Sequence, residues 1–220
     1  MMLTQTEENY LKTIYLLGKQ GKGKVSLTAL ASALGNNPAS VIDMLKKLTE
    51  KKLIQYERVK GARLTGEGIK TAIRTVRKHR LWELFLQIKL GYTWDEVHEI
   101  AEQLEHVHHE DLDNRLEKFL GFPQFDPHGD PIPDKKGHFP ELKSCPLSEY
   151  HQQEKGSVVG LTELSSPFLK YLDKVGIQIG SEIKVLENYD FDKSLNIKVN
   201  GKKNIHLSHQ AAQNILIGKV

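Results

Sequence analysis

Apolar residues mark out the first third of the chain at helical spacing. Tyr10, Leu11, Ile14 and Leu17 predict an amphipathic helix over residues 5–18. GKQGKGK follows as a flexible connector. Ser26 is placed to cap a short helix, LTALASAL, which stops at Gly35. Asn37 followed by Pro38 is an N-cap and first-turn pair. It opens PASVIDMLKKLTEKKL, whose Val41, Leu45 and Leu48 share one face. The tight turn LGNN between the two makes a helix-turn-helix order. IQYERVKGARLTGEG then reads as two short strands around a basic tip with Arg58, Lys60, Gly61 and Arg63, which is a β-wing.

A long helix is predicted over residues 66–90. Thr93 and Glu96 form a capping box for the next helix, which is expected to carry His98 through His106 on its surface. A third helix, HEDLDNRLEKFL, sets Leu112, Leu116 and Phe119 on one side. The Pro- and Gly-rich segment after it reads as a loop and then a linker up to about Gly156. SVVGL, EIKVLEN, LNIKV and NIHLS have the alternation and β-branching of strands, with SPFLKYLDKVG as one helix between the first two. The fold class is α+β, ending in a small β-barrel with an inserted helix.

The 220 residues suffice for two or three small domains. No stretch approaches the roughly 18 apolar residues of a membrane span. MMLTQTEENYLK lacks the basic-then-apolar order of a signal peptide. Cys145 is the single cysteine, which excludes an intrachain disulfide and fits a reducing cytoplasm. Charge is unevenly spread. Residues 1–75 hold 13 Lys and Arg against 6 Asp and Glu, whereas residues 76–155 hold 10 against 16. A basic nucleic-acid face beside an acidic cation site has this distribution, as does uneven solvated charge.

The candidate chemistry lies in the middle of the chain. His79 and Glu83 are four apart, and His98, Glu102, Glu105 and His106 fall at i, i+4, i+7 and i+8. On helices, each set shares a face. Imidazole with carboxylate suits Mn²⁺, Fe²⁺ or Zn²⁺. The competing reading is a solvated helix face, but Leu81, Leu84, Phe85, Val97, Ile100, Ala101 and Leu104 interleave with the candidate ligands. His108 and His109 read as the exposed start of the next helix, and His128 as a turn or packing residue. Trp82 and Trp94 are expected in the helical core or a dimer contact.

A recognition helix brings its N-terminal residues to base edges. Here those are Ala39, Ser40 and Asp43. Ala39 can meet a thymine methyl and Asp43 can accept from a cytosine amino group, unless Asp43 merely serves the helix dipole. Lys46, Lys47, Arg58, Lys60 and Arg63 read as phosphate contacts.

The chain resembles the DtxR family of metal-dependent repressors through TEENYLKTIYLL, PASVIDMLKKL, RKHRLWELFL, VHEIAEQLEHV and DPHGDPIP. FLKYLDKVGIQIGSEIKV resembles the SH3-like, FeoA-type domain of longer members. The resemblance implies a winged helix-turn-helix domain over 1–75, a helical dimerisation and metal-binding domain over 76–140, a linker over 141–156, and the SH3-like domain over 157–220. It implies an ancillary metal site of His79, Glu83 and His98. It also implies a primary site of Glu102, Glu105 and His106, with one first-helix ligand at Asn9 or the neighbouring Glu8. Iron-type members have cysteine where Glu102 stands, and manganese-type members have glutamate, so Mn(II) or Fe(II) is the implied cofactor. Some iron-type members add ligands from the SH3-like domain, where only Glu163, Ser165 and Ser166 stand here. The implied protein is a cytoplasmic homodimeric repressor on a palindromic double-stranded operator, with no membrane partner. It is not an enzyme. Rival readings of the same residues are a helical di-metal hydrolase, which lacks a separate acid–base set here, and a metal-storage protein, which would not need a wing.

Overall fold

The computed structural model describes residues 3–18, 23–109, 111–141 and 143–218. Residues 19–22 of the expected connector, Glu110 in the expected third helix and Leu142 lie outside them. The chain forms two compact units. One comprises residues 1–79, 102–114 and 133–138, the other residues 80–101, 115–132 and 139–220. These units cut across the expected middle domain. No helix among the described residues is long and apolar enough to cross a membrane.

The first unit begins with α1, Gln5–Leu17, which Thr4 and Glu7 close by a reciprocal capping box. Next comes α2, Leu27–Leu34, capped by the Ser26 hydroxyl. The third helix, α3, spans Pro38–Glu50, and the Asn37 side chain accepts from the Ser40 amide at 2.9 Å. Leu11, Leu30, Val41, Leu45 and Leu48 are fully buried where these helices meet. Each such side chain contributes about 1.5–3 kcal/mol of transfer free energy. The wing strands β1, Ile54–Glu57, and β2, Gly61–Leu64, pair antiparallel. Gly61 adopts φ +89°, and a Cβ there would sit 2.3 Å from the Val25 carbonyl, so no side chain fits. The long helix α4, Gly66–Leu90, runs from this unit into the second.

The helix after the Thr93–Glu96 box, α5, covers Val97–Leu104, and α6 covers Leu112–Phe119. The expected helix through His106 is therefore two residues too long. Glu105 and His106 lie in a turn beyond it.

The sheet of the second unit has six antiparallel strands in the order β3-β8-β4-β5-β6-β7. Their ranges are β3 Ser144–Pro146, β4 Lys155–Leu161, β5 Glu182–Asn188, β6 Leu195–Val199, β7 Lys203–Leu207 and β8 Ile215–Gly218. The inserted helix α7, Ser166–Val175, stands between β4 and β5, and a short α8, His209–Gln213, precedes β8. Residues 144–150, expected in a linker, belong to this sheet domain instead. Cys145 pairs with Ile217, and Leu147 is fully buried in the core. The Pro-rich composition masked a strand of three residues, too short to show alternation. Trp94 also packs into this sheet core rather than a helical one. Gly129 has φ +84°, and a Cβ on it would lie 2.0 Å from the Val159 carbonyl. This close approach holds the 126–131 turn against β4, where Leu161 donates to the His128 carbonyl.

Candidate metal centres and nucleic-acid interface

The first unit contains a buried cluster made by α1, α4 and the turn after α5. Three acidic or basic residues of α1 are buried: Glu7, Glu8 and Lys12. Glu8 Oε2 lies 2.7 Å from His106 Nδ1 and 3.6 Å from His108 Nε2. Glu105 is fully buried, with Oε2 2.6 Å from His79 Nδ1. Lys12 Nζ donates to both Glu105 oxygens, at 2.7 and 2.8 Å, and also to Glu102. His79, Glu102 and Glu105 present ligand atoms all within 4.8 Å of one another. His106 Nε2 is buried with no hydrogen-bond partner among the described residues. These nitrogen and carboxylate donors fit Mn²⁺ or Fe²⁺, and His106 Nε2 lies 3.5 Å from Glu105 Oε1.

Because α5 ends at Leu104, the turn re-aims Glu105 and His106 to meet α1, which a continued helix face would not do. Glu8 is the first-helix carboxylate against His106. The neighbouring Asn9 has its Oδ1 buried without a partner. His108 is exposed, as expected, with its Nε2 3.6 Å from Glu8 Oε2. Lys12 was not singled out at all, since a lysine on an amphipathic helix is ordinarily solvated.

The second unit holds its own cluster. Glu83 Oε1 lies 3.2 Å from His98 Nδ1, and Glu83 Oε2 lies 3.6 Å from His128 Nδ1. Glu83, Asp126 and His128 are all buried, with ligand atoms within 4.8 Å. His128 Nε2 donates to the Trp94 carbonyl at 2.8 Å, which turns Nδ1 toward Glu83. Burial opposes protonation of His128, but Glu83, Asp126 and the Trp94 carbonyl outweigh it and raise its pKa to about 9. Burial, reinforced by the Glu83 and Asp130 charges, pushes Asp126 up to about 7. Arg80 braces the same turn through Asp126 and Asp130. His98 itself stays largely exposed, and His79 stands one helical turn before Glu83 on α4. His128 is a buried packing residue of the turn, as expected, stacked on Trp94 and also close to the Glu83 carboxylate. Its place between two aspartates, Asp126 and Asp130, is the sequence signal that could have pointed to this charge cluster.

Ala39, Ser40 and Asp43 are exposed along the start of α3. Arg58 and Arg63 are exposed on the wing. The other basic candidates have partners. Lys46 lies 3.5 Å from Asp43, and Lys60 lies 2.7 Å from Glu57. Lys47 and Lys51 reach the buried Glu7 carboxylate at 3.1 and 2.5 Å. Burial opposes ionisation of Glu7, but Lys51, the Thr4 amide and Lys47 hold its pKa down at about 2. This pair fastens α1 to α3. Glu163 accepts from the Ser165 amide at 2.8 Å, a local turn contact before α7.

Comparison with known proteins places the whole architecture. Residues 2–62 match the iron-dependent repressor N-terminal DNA-binding domain, and 65–134 match the metal-binding and dimerisation domain of the same repressors. Residues 145–219 match the FeoA domain. The iron-dependent repressor IdeR of Mycobacterium tuberculosis is 36% identical over 131 residues, 60% of this chain. The matched segment spans 56% of the length of that relative. The regulator MntR of Bacillus velezensis is 35% identical over 105 residues, covering 48% of this chain and 72% of that protein. A solved manganese-dependent transcriptional repressor in complex with manganese superposes with TM-score 0.83 at 33% identity, over 97% of this chain and 100% of that one. Winged helix-turn-helix, helical centre and FeoA-type sheet occur here in that repressor's order, and the chain belongs to the DtxR family of iron-dependent repressors, a family of DNA-binding transcription regulators and not of enzymes.

Proposed function

We propose that this protein is a homodimeric repressor that binds a palindromic operator and responds to a divalent metal, Mn(II) in preference to Fe(II). The observation that carries the reading is the joining of α1, a helix of the DNA-binding domain, to the 102–106 segment through Glu8, Lys12, Glu102, Glu105 and His106. Cation binding at that junction bears directly on where the DNA-binding elements are held. Glu8, His79, Glu102, Glu105 and His106 would hold the metal there, and Glu83 and His98 would serve the ancillary site. A bound divalent ion supplies a compact positive charge that several carboxylates share. The hard Glu102 carboxylate in place of a thiolate favours manganese.

The protein's own groups do the rest. His79 and His106 present ring nitrogens from inside the cluster, and Glu8 carries the tie to α1. The Glu7 pairs transmit α1 to α3. Ala39, Ser40 and Asp43 then face base edges, and Lys46, Arg58 and Arg63 face phosphates. Dimerisation runs through the helices after residue 85. Ile88, Leu90, Phe119 and Phe122 are all more than half exposed there, an apolar face suited to a two-fold contact. Lone Cys145 and DNA as ligand suit a cytoplasmic site of action. The test is retardation of genomic operator fragments with Mn²⁺, with Fe²⁺ and with chelator. Metal-stimulated retardation supports the reading, and no retardation under any condition overturns it.

A further inference from the structure

Lys12 stands where the repressor reading places a cation. Its ammonium touches three oxygens from two carboxylates, both of Glu105 and one of Glu102. Lys12 and Glu105 are buried, at 7% and 0% exposure. A buried carboxylate needs a compensating positive charge, and Lys12 supplies it from within the chain. An ordinary interhelix ion pair would engage one carboxylate and leave the ligand set free. This one joins α1 to the end of α5 and the turn after it, and engages two of the three residues, Glu102, Glu105 and His79, that form the cluster.

We infer that the Lys12 ammonium is the resident cation of this centre, so that a divalent ion binds Glu102 and Glu105 only by expelling it. The inference rests on the metal-responsive reading above and deepens it. An ammonium hydrogen-bonded to both Glu105 oxygens fills the lone-pair directions a metal would use. Two like charges at hydrogen-bond distance in a buried site repel strongly. Occupancy is therefore exclusive. Beside the Glu8–His106 contact, Lys12 adds to the α1 tie when metal is scarce, and metal takes its place when it is abundant. Lys12 raises the metal concentration at which the exchange occurs.

The experiment uses the full-length protein without DNA. In wild type, amine-reactive labelling with peptide mass analysis reads Lys12 directly. Protection in chelator and loss of protection on adding Mn²⁺ are expected. In parallel, Mn²⁺ is titrated calorimetrically into wild type, Lys12→Met and Lys12→Arg. Lys12→Met keeps the aliphatic stem and removes the charge, so its Mn²⁺ affinity at one site should rise on the order of tenfold or more. Its melting temperature should fall in chelator and recover with Mn²⁺. Lys12→Arg should remain close to wild type. Lys12 that is reactive in chelator, or still protected when Mn²⁺ fills the centre, overturns the inference, as does equal Mn²⁺ affinity in wild type and Lys12→Met. If Lys12→Met does not fold in chelator, the wild-type labelling still decides. Because no readout contains DNA, failure of operator binding would sink the repressor reading and leave this one standing.

Discussion

The two buried clusters solve one electrostatic problem in different ways. Around Glu105, the compensating charge is a lysine on a long stem from another helix. Around Glu83, it is the imidazole of His128, held protonated within a rigid turn and locked by the Trp94 carbonyl. The lysine is a compact ammonium on a four-carbon stem, held by three hydrogen bonds. The histidine donates from Nε2 to the Trp94 carbonyl and from its backbone amide to Asp126, in a turn held close to β4 at Gly129. On the exchange inferred above, the contrast separates a centre that trades its cation for a metal from one that keeps it.

The most severe way to break this comparison is at Glu105. Glu105→Ala removes the acceptor shared by Lys12 and His79. Residues behind metal ligands already cost 10–100-fold in affinity when lost, so metal-stimulated DNA binding should fall roughly 100-fold or more. Far-ultraviolet circular dichroism should stay unchanged. Wild-type-like stimulation in this variant would remove the centre from the mechanism.

Next in size is His128→Gln, which removes the buried cation shared by Glu83 and Asp126 and leaves Arg80 beside Asp126. Breaking such a pair costs about 3–5 kcal/mol, read by urea unfolding at neutral pH. The pH dependence has a definite sign. His128 has a folded pKa of about 9, above its ordinary value of 6.5, so its contribution is complete below pH 6.5 and is lost as pH rises through 9. Asp126, raised to about 7 from 3.8, adds a loss between those two values. Wild-type stability should thus decline from pH 6.5 to 9, and the variant should not show that decline.

The first unit should respond at the opposite end of the pH scale. Glu7 has a folded pKa of about 2 against an ordinary 4.5. Its contribution is complete above pH 4.5 and is lost as pH falls through 2. Glu7→Gln should cost about 1–3 kcal/mol at neutral pH and flatten the acid limb of the stability curve. An acid limb identical to wild type would show that the α1–α3 ion pairs carry no net stability.

The smallest expected effect sharpens the difference between free and paired surface cations. Arg63→Ala should weaken binding to all DNA sequences alike and reduce the salt slope by about one. Lys60→Ala removes a lysine already paired with Glu57 and should change the slope less. Equal slopes for both variants would mean that the Glu57 pair opens on DNA.

Much of the fold was legible locally. Thr4, Ser26 and Asn37 cap their helices through contacts three residues long, so their effect is written in adjacent letters. Gly61 and the strand pair around it made the wing readable for the same reason. The candidate ligands were legible as residue types, because imidazole and carboxylate among apolar neighbours are costly to bury without purpose. Their spacing misled at one point. The periodic face ran on through His106, whereas the helix stops at Leu104. Nothing in the 97–106 pattern marks that stop, since Glu105 and His106 leave the helix to meet α1, a partner far away in the chain. The strand at Ser144–Pro146 was hidden likewise, because its pairing with β8 is supplied from the other end of the domain.

Sequence by itself determined the order of elements, their caps, the winged helix-turn-helix and the chemical class of the candidate site, all of which depend on neighbours within a few residues. Only the tertiary structure decided which charge answers which. Lys12 meets Glu105 across 93 positions of sequence, and His128 is turned toward Glu83 by a backbone carbonyl of Trp94. In water none of these groups would need a particular partner. Burial removes the solvent that would otherwise satisfy them, and the fold then brings a cation within reach.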